Sequence, residues 1–267
     1  MAAVTMPLVD EQTIAPTPLG RVVRAYAQEA MYESLRMLRA PAFSIGLLVV
    51  PILVYLFFGV VLSAPVIAKN AGIGRYLFSG FSTLAIMGPA LFGVGCTLAL
   101  EREGGLLRLK RAWPAPNGAY LIAKIATAMA FAVVLMILMV LTAVLSGKAH
   151  LSGTQFLALS LAMIAGSIPI AALGLFIGAH SSGSAAPAFV NIIYLPQLWL
   201  SGLFIPLPKF LEPWALIWPA FHVNQVALAA AGVREFIFVP PWMSIGILAG
   251  VTVLFGGLAI RRLKHHG

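Results

Sequence analysis

Six long apolar stretches dominate the chain, at Ala42–Ser63, Leu77–Leu100, Tyr120–Ser146, Phe156–Ala179, Ala185–Ile205 and Trp242–Ile260. Each is close to the ~20 residues that an α-helix needs to cross the hydrocarbon core. Lipid offers no partners to backbone N–H and C=O groups, so segments of this length satisfy themselves as helices. The pattern predicts an all-α polytopic membrane protein with six transmembrane helices.

Ahead of the first stretch the pattern changes. Met1–Pro16 is polar and proline-containing, a loose tail. Thr17-Pro18 then reads as a helix start, with Thr17 as N-cap and Pro18 at the first helical position. Val23, Tyr26, Ala27, Ala30, Met31, Leu35 and Leu38 follow at helical spacing, with Arg21, Arg24, Gln28, Tyr32 and Arg39 opposite them. Such a helix suits the headgroup region. The chain thus divides into residues 1–41, a cytoplasmic tail plus an amphipathic interfacial helix, and residues 42–267, the six-span domain.

The link between the fifth and sixth stretches is also distinct. Pro206 and Pro208 stop the fifth span, and Trp214–Ala231 is apolar but interrupted by Pro219, His222, Asn224 and Gln225. Short re-entrant helices in the outer leaflet are predicted there, held at the interface by Trp214 and Trp218.

Composition agrees with this picture. Hydrophobic residues make up 61% of the chain, charged residues only 9%, and mean hydropathy is +0.98. The net charge of +9 comes from basic residues flanking the apolar stretches, so it reflects topology rather than nucleic-acid binding. Arg21, Arg24, Arg36 and Arg39 precede span one. Arg102, Arg108, Lys110, Arg111 and Lys124 lie between or beside spans two and three, and Arg261, Arg262 and Lys264 follow span six. The opposite side holds Lys69, Arg75, Lys148, Lys209 and Arg234. Both termini and the Glu101–Asn117 loop are therefore expected in the cytoplasm. The first ~40 residues lack the apolar core of a cleavable signal. The lone Cys96 permits no intrachain disulfide.

Candidate chemistry is sparse. Gly147-Lys148 lacks the rest of a P-loop, so no nucleotide site is expected in this chain. His150, His180, His222, His265 and His266 are scattered, without metal-ligand spacing. Gly178–Gly183 contains His180, Ser181 and Ser182 and admits an intramembrane hydrolase reading, but its small residues read better as a tight turn. Asn191, Tyr194 and Gln197 share about a third of the circumference of span five, facing either a translocation path or another helix. Gly174 and Gly178 in span four, and Gly246 and Gly250 in span six, permit close helix approach. The densest charge is Glu101–Arg111, which opens on acids, turns on Gly104-Gly105 and continues as a basic amphipathic turn. It has the make-up of a docking surface.

These features together resemble the membrane subunits of ABC-type exporters of the type-2 integral membrane family, the type V exporter fold. The resemblance covers nearly the whole chain. It rests on the amphipathic N-terminal helix, six spans and Glu101-Arg102-Glu103-Gly104-Gly105 after span two. Ser201–Pro206 ending span five and the Pro219–Gln225 segment complete it. It implies two permease subunits, as a homodimer, pairing with two separate ATPase subunits that bind ATP and Mg, in a bacterial inner membrane. The loop after span two would be a coupling helix seated in the ATPase. Glu101, Arg102, Glu103, Gly104, Gly105, Leu106, Arg108 and Arg111 would form it, with Leu106, Leu109 and Trp113 on its apolar face. The acids are expected to orient that helix through its backbone donors or through basic groups on the ATPase. Asn191, Tyr194, Gln197, Phe204, Phe221 and His222 are the candidate translocation path. The expected passenger is a hydrophobic or amphipathic compound, a drug or toxic natural product. A lipid-linked glycan is the alternative, ahead of a secondary transporter, whose mid-membrane acid is absent from the predicted spans, and of a hydrolase.

Overall fold

The computed structural model describes residues 19–111 and 119–266, and every regular element among them is helical. The expected tail, the Thr17-Pro18 cap and Trp113 lie outside the described residues. Helix α1 spans Leu19–Leu38, and Pro41 opens α2, Pro41–Val54. Helix α2 continues as a π-helix over Tyr55–Leu62 and is followed by the short α3, Ala64–Ile67. Pro51 lies inside α2, one turn before the wide turns begin.

Helix α4, Ala71–Gly88, starts at Asn70, whose Oδ1 accepts from the Gly72 amide at 2.8 Å. It passes through a second π-helical segment, Pro89–Cys96, into α5, Thr97–Glu103. The result is one unbroken rod of 33 residues, Ala71–Glu103. At 1.5 Å per residue it is about 50 Å long, against a hydrocarbon core of about 30 Å. The sequence predicts only Leu77–Leu100 for this span, because Arg75 and Glu101 look like limits. The structure carries both inside the helix and gives each a polar partner.

After Gly105, in the left-handed region at φ 77, comes α6, Leu106–Arg111. Helix α7 spans Ala119–Ser146, α8 spans Gly153–His180 and α9 spans Ala186–Leu200. Helix α8 is the centre of the bundle and packs against the rod, α7, the later helix α11 (Pro219–Ala230) and the last helix α12 (Pro241–His266). Its start is fixed by a capping box in which Ser152 and Gln155 exchange side-chain and backbone hydrogen bonds. Its close approach to the rod depends on glycine. A Cβ on Gly174 would lie 2.5 Å from the Ala90 carbonyl, and one on Gly178 2.5 Å from that of Gly95. The Gly246 and Gly250 positions on α12 face open space instead.

Five helices are long and apolar enough to cross a membrane: Ser44–Leu62, Ala71–Glu103, Tyr120–Ser146, Gly153–His180 and Pro241–Lys264. The predicted fifth span differs. Helix α9 stops at Leu200 after 15 residues, not at Ile205, because Gly202 turns the chain at φ 62. The Gly202 carbonyl accepts from the Tyr76 hydroxyl, which pins the turn to α4. Between α9 and α12 lie a 3-10 turn (Lys209–Leu211), α10 (Glu212–Ala215) and α11 (Pro219–Ala230). These are short helices where short helices are expected.

Candidate functional site

The Glu101-Arg102-Glu103 triplet closes the rod, and its three side chains go to three different places. Glu101 is only 8% exposed. Its Oε1 accepts from Lys124 Nζ of α7 at 2.9 Å and contacts Arg36 Nη2 of α1, and its Oε2 accepts from the Tyr120 hydroxyl. Lys124 is wholly buried. Its ammonium also donates to Thr97 Oγ1 at 2.9 Å and to Glu33 Oε1 of α1. Glu33 Oε1 is in turn 2.9 Å from Arg36 Nη2. The Glu33 and Glu101 carboxylates thus meet the Lys124 and Arg36 cations, the pairing that buried charge requires. A Ser34–Thr127 hydroxyl contact of 3.2 Å fastens α1 to α7 beside them.

Arg102 turns the other way. Its guanidinium donates to the Ala179 carbonyl and, at 2.7 Å, to the Ser181 carbonyl. These groups end α8, where free carbonyls carry the negative pole of the helix and favour a cation. Glu103 is exposed, yet its Oε2 accepts from the Gly183 amide at 2.6 Å, in the turn between α8 and α9. A Cβ on Gly183 would lie 2.6 Å from that same oxygen, so a larger residue there would displace the Glu103 carboxylate.

Within this chain the acids bind the bundle: Glu101 meets α1 and α7, and Glu103 meets the α8–α9 turn. The sequence reading missed their partners Glu33, Arg36, Thr97, Tyr120 and Lys124. A signal exists: Lys124 stands alone within an apolar run, and a lone ammonium at that depth requires acidic company. Thr97 and Glu101, like Tyr120 and Lys124, are four apart and share a helix face.

Gly104 and Gly105 form the turn from α5 into α6. Within α6, Leu107 is the inward residue, whereas Leu109 is 66% exposed and Leu106 is intermediate. Arg108 and Arg111 belong to the same helix. Among the described residues of the loop, Leu109 is an exposed apolar side chain.

The candidate path residues occupy different settings. Asn191 is exposed and donates to the Pro187 carbonyl at 3.0 Å. The Tyr194 ring stands 5.4 Å from that of Phe92. Gln197 is buried, and its Oε1 accepts from the Ala220 amide at 2.9 Å, capping α11. Phe204 packs beside Phe81 and Trp199. Phe221 is buried in a small outer cluster with Leu207, Ala215 and Val239. His222 Nε2 lies 2.9 Å from the Leu216 carbonyl, which only accepts, so that nitrogen carries the proton. Nδ1 is left to accept from Ser244 Oγ at 3.3 Å. Gln197 and His222 thus hold the outer helices, while Asn191 remains open. In the serine-containing turn, the His180 ring bonds the Phe176 carbonyl and Ser182 bonds Ser184 and the Ala185 amide. Those groups serve the turn.

The rod thus ends in a cluster of ion pairs and is followed by the short helix α6, on which Leu109 is exposed. The chain is 25% identical over 233 residues to a Bacillus subtilis (strain 168) protein named as a transport permease, YvfS, covering 85% of this chain and 92% of that relative. Residues 27–238 match the ABC-2 type transporter family, whose range takes in the triplet, its buried partners and the outer helices. The chain belongs to the ABC-2 type transporter family, as a multi-pass membrane permease subunit.

Proposed function

We propose that this chain is the permease half of an exporter that moves a hydrophobic or amphipathic compound outward while a separate ABC ATPase hydrolyses ATP and Mg stays with that partner. One observation carries the reading: three consecutive side chains, Glu101, Arg102 and Glu103, tie the start of the α6 loop to α1 and α7, to the end of α8 and to the α8–α9 turn. A force on α6 thereby acts on the bundle as a unit. Leu109, on α6, is the contact we assign to the ATPase. Two permease copies, as a homodimer, would each engage one ATPase. In this reading α9 is the sixth crossing, its ~22 Å length supplemented by the short outer helices. A compact apolar wall with few polar groups favours an amphipathic passenger over a glycan.

The test is to affinity-purify the full chain from its native membranes. An ABC ATPase should co-purify, and amphipathic compounds should stimulate its hydrolysis while lipid-linked glycan does not. Absence of any ATPase would sink the proposal. Leu109→Asp should cut the co-purified ATPase by roughly ten-fold, as expected when a charge enters a buried apolar contact, with the permease still monodisperse.

Orientation is tested separately. In a Cys96→Ser background, single cysteines replace the exposed Lys209 and Lys264. An impermeant thiol reagent on intact cells should label the Lys209 position and spare Lys264. The reverse pattern would invert the topology.

A further inference from the structure

At the end of the bundle opposite the triplet, the first turn of α4 and the turn after α11 flank an open pocket of about 340 Å³. Its charged lining consists of Arg75, Arg234 and Glu235. Arg75 is half-buried and already positioned: its Nε donates to the His150 carbonyl at 2.9 Å. That carbonyl is aimed by His150 itself, held at φ 51 in the turn between α7 and α8. A left-handed conformation is costly for a residue other than glycine, so packing must impose it. The packing is visible one residue earlier on α4, where a Cβ on Gly74 would lie 2.1 Å from the Lys148 carbonyl. Arg234 and Glu235 follow Gly232, itself at φ 72, and both are exposed. Among the described residues, neither arginine forms an ion pair with Glu235 or with any other acid.

The wall thus offers two guanidiniums and one carboxylate that do not neutralise one another. The complementary ligand carries an anionic group for the arginine pair and a cationic group for Glu235. Guanidinium forks match phosphate oxygens, and a cavity near the lower end of the usual ligand range of roughly 300–1,000 Å³ takes a headgroup rather than a drug-sized molecule. In the orientation proposed above, on which this inference rests, the cavity lies where outer-leaflet headgroups lie. We propose that it binds a compact phosphate-plus-ammonium zwitterion, the headgroup chemistry of phosphatidylethanolamine, with phosphate on Arg75 and Arg234 and the amine at Glu235. Such a ligand would clamp the head of the rod to the α11–α12 turn.

The test uses the purified full chain in detergent and native mass spectrometry. Phosphatidylethanolamine and phosphatidylglycerol of identical acyl chains are titrated in, since both offer a phosphate and only the first an amine. The wild type should retain phosphatidylethanolamine about ten-fold more tightly, the scale of one charge-assisted hydrogen bond. Glu235→Gln should erase that preference, and Arg234→Gln should weaken both lipids. Both side chains are exposed, and among the described residues neither forms an ion pair, so the variants keep their structure. Equal binding of the two lipids by the wild type, or a preference untouched by both substitutions, would overturn the proposal. Soluble phosphoethanolamine distinguishes the sources of the zwitterion: competition identifies the free headgroup as sufficient, and lack of competition identifies the anchored lipid. No ATPase or transported compound enters the measurement, so its failure is separate from failure of the transport reading.

Discussion

Replacing Lys124 with methionine is expected to abolish transport and to lower the thermal midpoint of the purified permease more than any other single change in the bundle. The side chain has no exposure, and its ammonium joins Glu33, Glu101 and Thr97 from two other helices. Methionine fills the space but leaves the Glu33 and Glu101 carboxylates close together beside the partly exposed Arg36. Removing one member of a buried charge pair typically costs ~3–5 kcal/mol, mostly as the desolvation of what remains. The double variant Glu101→Gln, Lys124→Met removes one charge of each sign and should recover much of the thermal midpoint. It should not recover transport, because the ammonium that joins α5 and α7 to Glu33 of α1 is still gone. Fluorescence-detected melting together with efflux separates the two effects. A Lys124→Met protein that melts and transports like the wild type would remove the cluster from the account.

The second large effect belongs to the small residues of α8. Gly178→Val should destabilise the fold by roughly 1–3 kcal/mol, the usual cost of overpacking a close contact. Its added carbon would meet the Gly95 carbonyl at 2.5 Å and Leu98 Cβ at 2.9 Å, and neither can swing away as a flexible chain end would. Gly174→Val acts on the same seam through the Ala90 carbonyl. Gly250→Val, also a glycine in a membrane-length helix, has nothing within 4 Å and should leave the melting profile unchanged. Equal losses at positions 178 and 250 would show that helix propensity, rather than this contact, sets the cost.

That contrast marks the limit of what the chain discloses on its own. The two glycine pairs are indistinguishable by spacing, because spacing records which residues share a face and not which helix lies opposite. The helix content and most of the spans were legible, since apolar length is a local quantity. The end of α9 was not, because Leu203–Ile205 carries the apolar stretch on past it and the turn depends on Tyr76, far away in sequence, donating to the Gly202 carbonyl. The triplet was legible as a place of importance but not in its direction. Charge density is read from the sequence, whereas the partners that draw Glu101 inward lie on α1 and α7, 91 positions apart in the Glu33–Lys124 case. Gln197 and His222 likewise show as polar groups in an apolar setting. Only their contacts with the Ala220 amide, the Leu216 carbonyl and Ser244 show what they hold.

The unbroken rod from Ala71 to Glu103 has a mechanical meaning. It is a lever about 50 Å long, and tilting such a lever by about 5° about one end sweeps the other through roughly 4 Å. Its inner end is gripped by the charged triplet. Near its outer end the backbone of Gly80 presses so closely on the Leu203 carbonyl that a Cβ would sit 1.9 Å away, and the Tyr76 hydroxyl grips Gly202. Leverage of this kind needs no chain of switching side chains between the two surfaces. In the transport reading proposed above, the wide turns at Pro89–Cys96 are where this lever flexes, and stiffness there governs how much of an inner stroke arrives outside.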